Sequence, residues 1–148
     1  MALTKIYTIG FTRKTAEQFF ELLKRNGIRR LLDVRLNNTS QLAGFSKRAD
    51  LAYFLKQILG ADYRHEPLLA PKGNLLKAYR KGQIGWPEYE AGFLSLMRER
   101  QVEQRLDRGL FAQPTVLLCS EPTAERCHRR LAAEYLAQRW GDVEVIHL

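Results

Sequence analysis

The chain has 148 residues, of which 45% are hydrophobic and 27% charged. That is the balance of an ordinary globular domain, long enough to bury a core without disulfide or metal staples. No apolar run approaches the ~18 residues of a membrane span, and Met1 to Lys5 leads into a strand pattern without signal-peptide features. The expectation is a cytoplasmic protein with no membrane partner, its two cysteines free thiols. A formal charge of +8 favours anionic partners, phosphates or nucleic acid. An arginine-rich soluble surface explains that charge equally well, because the basic residues are spread along the chain.

In chain order, Lys5 to Ile9 reads as a strand stopped by Gly10, and Ala16 to Asn26 as a helix carrying Phe19, Phe20, Leu22 and Leu23. Arg30 to Val34 is a second strand. Leu36 to Phe45 is a polar loop, and Ala49 to Leu59 a helix ending at Gly60. Ala61 to His65 is a weak strand before Pro67, and Leu69 to Ile84 reads as a Lys- and Gly-rich loop. Pro87 to Leu106 is a long helix, and Thr115 to Cys119 the strongest strand. Pro122 to Trp140 is a helix ending at Gly141, and Val143 to His147 a closing strand. Strands alternating with helices predict one α/β domain over residues 1–148. Its architecture is a three-layer α/β/α arrangement with a mostly parallel sheet of about five strands.

In such sheets ligands bind beyond the carboxyl ends of the strands, where helix N-termini also point. Parallel strands would gather there Gly10, Asp33, Arg35, His65, Glu66, Cys119 to Glu121 and His147. A guanidinium at a strand edge suits bidentate binding of phosphate or carboxylate. Arg35 equally suits an internal ion pair with Asp33, which shares its strand face, or with Glu121. His65 fits a general acid/base or a loop-capping hydrogen bond. Arg126, Arg129 and Arg130 form a basic edge, and His128 projects from the same turns.

Cys119 sits where a helix N-terminus favours a thiolate. Glu121 opposes this: at ~6 Å and an effective dielectric of ~20, a carboxylate disfavours a thiolate by about 3 kcal/mol. A helix terminus offers about 0.3–1 kcal/mol. Unless Arg35 or Arg129 neutralises Glu121, Cys119 is a small buried residue. The spacing to Arg126 is one residue too long for a tyrosine-phosphatase loop. A disulfide to Cys127 is disfavoured, because that residue would lie roughly 8 Å into a helix beginning at Pro122. Cys119, Cys127, His128 and His65 lack the paired spacing of a structural zinc site, so no metal is expected. Between Leu69 and Tyr89, Lys72, Lys77, Arg80 and Lys81 interleave with Tyr79, Trp86 and Tyr89. That pattern suits nucleic-acid stacking and phosphate contact, or simple packing of the aromatics on the next helix.

Ile6 to Gly10, Asp33-Val34-Arg35, Tyr63-Arg64-His65, Cys119-Ser120-Glu121 and Cys127-His128-Arg129, in that order, resemble the landmarks of the domain of unknown function 488 family. Val145 to His147 also fits. Leu69-Ala70-Pro71 and Ile84-Gly85-Trp86 look like one subgroup of the family. The resemblance implies an α/β fold of bacterial or archaeal type and no settled activity. Many members have His-Ser after the first strand's glycine, where this chain has Phe11-Thr12.

The residues together predict a cleft for a phosphate-bearing small molecule or nucleotide, with hydrolase or transferase chemistry as the reaction class. His65, Glu121 and Cys119 are the catalytic candidates; Asp33, Arg35, Cys127, His128 and Arg129 are the ligand-binding ones. The residues leave the cofactor open. A non-catalytic nucleic-acid-binding module is the alternative.

Overall fold

In a computed structural model of the chain, residues 3–37, 45, 47–121 and 124–148 are described. Five strands form one sheet: β1 (Thr4–Gly10), β2 (Arg30–Asp33), β3 (Asp62–His65), β4 (Thr115–Cys119) and β5 (Val143–His147). Their order is β3-β2-β4-β1-β5, and every neighbouring pair is parallel. All five carboxyl ends therefore open onto one edge. The register sets Gly10 beside Cys119, Asp33 beside both Leu118 and His65, and Thr8 beside His147.

Six helices accompany these strands among the described residues: α1 (Ala16–Arg25), α2 (Arg48–Leu59), α3 (Gly73–Arg80), α4 (Trp86–Arg100), α5 (Val102–Arg105) and α6 (His128–Trp140). Side-chain alternation along the strands sorts the core into two layers. Tyr7, Ile9, Leu31, Val116 and Leu118 pack with Phe19, Phe20 and Leu23 of α1 and Leu51 and Leu55 of α2. Ile6, Leu32, Leu117 and Cys119 pack on the other face with Phe93, Leu96 and Met97 of α4, Val102 of α5 and Leu131 and Leu136 of α6. The expected three-layer arrangement is what forms.

The connections explain where a site falls. After β1 and β2 the chain leaves to the α1/α2 face; after β4 it leaves to the α6 face. Strand β4 lies between those two, so a crevice opens at its carboxyl end.

Three elements differ from the sequence reading. The helix expected from Pro122 begins at His128; Ala124 to Arg126 form turns, and Pro122 lies outside the described residues. The expected Pro87–Leu106 helix is broken at Gln101, whose φ of 53° places it in the left-handed region, and Leu106 is already extended. Within the expected 69–84 loop, residues 73–80 are the helix α3, which buries no residue fully. The 36–45 loop lies mostly outside the described residues. No described helix is long and apolar enough to cross a membrane.

Candidate functional site

Strand β4 ends at Cys119, and the chain then crosses over the end of β1. The Thr12 N–H donates to the Ser120 carbonyl at 3.1 Å. A Cβ on Gly10 would overlap the Glu121 carbonyl and lie 2.6 Å from Arg129 Nη1. Glycine ends β1 because another backbone passes directly over it.

Helix α6 begins beneath that crossing. Cys127 is its N-cap, with Sγ accepting from the Arg129 N–H at 3.4 Å. Arg129, in the first turn, is 1% exposed and points back under residues 119–121. Its Nη1 donates to the Glu121 carbonyl at 2.7 Å and to Cys119 Sγ at 3.2 Å, with Cys127 Sγ at 4.0 Å. Its Nε donates to Thr8 Oγ1 at 3.2 Å, and that hydroxyl also meets His147 Nδ1 at 2.5 Å. Among the described residues no carboxylate forms an ion pair with Arg129. Burial lowers its pKa to about 10, against the pull of the Glu121 charge. The guanidinium is still protonated at neutral pH.

The Cys119 and Cys127 sulfurs are in bonding contact, with Cα atoms 7.6 Å apart. The sequence reading anticipated that separation but not the meeting of the side chains, and so disfavoured a bridge. The error was the helix start: a cysteine on an N-cap is not carried away on the helical spiral. Both residues are buried, as expected of small core residues. Glu121, whose carboxylate was expected to disfavour a Cys119 thiolate, is exposed and offers Arg129 its carbonyl.

The other arginine, Arg35, has a full carboxylate partner. Its Nε and Nη2 donate to the two Asp33 oxygens at 2.8 Å each, and its N–H donates to Oδ1 at 3.1 Å. Tyr63 donates to Asp33 Oδ2 at 2.5 Å, and the guanidinium lies 5.3 Å from the Phe11 ring centre. The internal pair that the sequence left open is present, made with Asp33. His65 Nε2 sits 3.0 Å from the Arg35 carbonyl.

A pocket of about 60 Å³ opens over the end of β4, walled by Arg35, Arg80, Tyr89, Glu121, Arg126 and His128, with Cys119 and Cys127 among its lining. Arg35, Cys119, Glu121, Cys127 and His128 thus line one pocket. Asp33 and Arg129 stand one layer behind, touching Arg35 and Cys119 respectively. His65 lies two strands from β4 and does not line the pocket.

His128 Nε2 meets the Val34 carbonyl at 2.7 Å. Burial is the main cause that lowers its pKa to about 4, with Arg129 adding to the effect. It is neutral at pH 7, so Nε2 carries the hydrogen and donates to Val34 while Nδ1 keeps its lone pair.

Sequence reasoning passed over Thr8 and did not bring Arg80 or Tyr89 to this pocket. A lone threonine in an otherwise apolar strand was the available signal for Thr8, because a buried hydroxyl needs a partner. Arg80 and Tyr89 reach the pocket only because residues 73–80 are helical. Tyr79, Trp86 and Tyr89 stack at 4.8–5.8 Å between ring centres and form a wall.

A five-stranded parallel sheet with the crossing at Gly10, Cys119-x-Glu121 and a Cys127-His128-Arg129 helix start defines an α/β protein of a particular class. The chain belongs to the family described as Domain of unknown function DUF488, which it matches over residues 15–136. Ile6–Gly10 and Val145–His147 lie outside the matched span. No curated protein and no solved structure matches the chain.

Proposed function

We propose that the pocket over β4 binds the phosphate group of a small molecule or nucleotide, with the rest of the ligand lying along α3. One observation carries this: the pocket is lined by three guanidiniums, Arg35, Arg80 and Arg126, against one carboxylate, Glu121. Asp33 matches the charge of Arg35, so the surplus comes from Arg80 and Arg126, with Arg129 behind the floor. A volume of about 60 Å³ suits a few waters or one compact oxyanion. A second hollow of about 570 Å³ shares Leu36, Asn37, Leu76 and Arg80 with it and adds Gly73, Lys77 and Lys81. That size fits the remainder of a nucleotide-sized ligand, and among the described residues no acidic one lines it.

Hydrolysis or group transfer is the chemistry these side chains support. Glu121 or the lone pair of His128 Nδ1 moves the proton, and Cys119 is a nucleophile once its bond to Cys127 is reduced. His65, bonded to the Arg35 carbonyl, orients the 33–35 turn.

Thermal unfolding with inorganic phosphate and a panel of nucleotides tests the reading. A saturable stabilisation is expected, about 2.7 kcal/mol at a hundredfold excess over Kd. It should be lost in Arg126→Ala and Arg80→Ala. The exposed Lys72, Lys77, Arg80 and Lys81 favour a second reading, nucleic-acid binding. In that case phosphate and nucleotides would leave the transition unmoved, while oligonucleotides bind with a steep salt dependence. Silence in both assays contradicts both readings.

A further inference from the structure

The geometry points to Cys119 and Cys127 as a peroxide-reactive dithiol, Cys119 being the attacking sulfur, Cys127 the resolving one and Arg129 the group that holds Cys119 as a thiolate. The reaction does not depend on anion binding and runs with the pocket free of anion.

In the reduced protein Arg129 is a buried cation with no carboxylate partner among the described residues. An unmatched buried charge is costly, and so is a buried thiolate; placed together, each relieves the other. Cys119 Sγ is the nearer sulfur to the guanidinium, at 3.2 Å against 4.0 Å for Cys127 Sγ. That asymmetry assigns the roles. Thr8 fixes Nε and the Glu121 carbonyl fixes Nη1, so the guanidinium cannot swing away. Both sulfurs line the pocket, whose volume of about 60 Å³ admits a molecule the size of hydrogen peroxide. The oxidant class is therefore hydrogen peroxide or a small hydroperoxide.

The Cys119 thiolate attacks a peroxide oxygen. An S–O bond forms, the O–O bond breaks and hydroxide leaves, giving the sulfenic acid. The Cys127 sulfur then attacks the Cys119 sulfur. The S–S bond forms, the S–O bond breaks, and the departing hydroxide takes the Cys127 proton as water. Two electrons pass from the thiols to peroxide, and a small dithiol reductant reverses the change.

The test is one equivalent of hydrogen peroxide on the fully reduced chain at pH 7, followed by alkylation and intact mass. The expected product is two hydrogens lighter and takes up no alkylating agent. It should form about tenfold or more faster than free cysteine reacts. Cys127→Ser should accumulate a sulfenic acid at Cys119 that dimedone traps, and Cys119→Ser should stay unreactive. Arg129→Met should slow the reaction about tenfold and Arg129→Lys largely restore it. If Arg129→Met does not fold, Arg129→Lys and the two cysteine variants decide. Two alkylatable thiols after peroxide, dimedone labelling at Cys127 in Cys119→Ser, or a rate no greater than that of free cysteine overturns the assignment.

Discussion

Arg35 and Arg129 are both buried at the carboxyl edge of the sheet, 4% and 1% exposed, yet among the described residues only Arg35 meets a carboxylate. Asp33 accepts from three Arg35 nitrogens and from Tyr63, which saturates the carboxylate and closes the pair. Arg129 is offered a hydroxyl, a carbonyl and two sulfurs, all formally neutral. A saturated ion pair fixes the turn after β2 and has little electrostatic capacity left over. A guanidinium held by neutral acceptors keeps its field, which reaches whatever enters the pocket or ionises beside it. Of two arginines that look alike in sequence, one braces the fold and the other charges the site.

The largest way to break this contrast is at Asp33. Asp33→Ala strands a buried Arg35 charge and should cost about 3–5 kcal/mol in urea unfolding. A loss below 1 kcal/mol would mean that the pair is not structural. Gly10→Ala comes next: its methyl group must push the Glu121 carbonyl off Arg129, at about 3 kcal/mol. A variant as stable as the parent would show that residues 120–121 do not cross β1 so closely.

His128 gives a comparable effect, confined to acid. Its folded pKa of about 4 lies below the ordinary 6.5, so between those values the unfolded chain binds the extra proton. Stability conferred by the neutral, Val34-bonded ring is intact above pH 6.5 and lost as pH falls towards 4, by up to about 3 kcal/mol. His128→Gln should flatten that slope relative to the parent; parallel slopes would contradict the burial of the ring. The smallest effect is expected at Arg129 itself. With the two sulfurs bonded, Arg129→Met removes an unmatched charge without stranding a carboxylate or a thiolate and should change stability by no more than about 1 kcal/mol. A loss as large as that of Asp33→Ala would erase the distinction.

Much of the fold was legible because apolar runs and their stops are local. Thr115 to Cys119 and Val143 to His147 are strands with the expected ends, and α1 and α2 lie within a residue of expectation. The start of α6 was misplaced because Pro122 is a good first-turn residue and Cys127 an uncommon cap, and capping is decided by the backbone. Helix α3 was missed because Leu75, Leu76 and Tyr79 are only half-buried against a neighbour the sequence does not name. Strand ends nominated Arg35, Cys119 and Glu121, which line the pocket. They also nominated His65, since a shared edge does not say which strands are adjacent. The order β3-β2-β4-β1-β5 rests on pairings between residues far apart in the chain, whereas the Asp33–Arg35 pair is local.

The most direct measurement is a crystal structure grown with phosphate or tungstate. The account predicts one anion seated between Arg80 and Arg126, over the Cys119 and Cys127 sulfurs. Anions found only on the outer lysines of α3, with water alone over the end of β4, would contradict it.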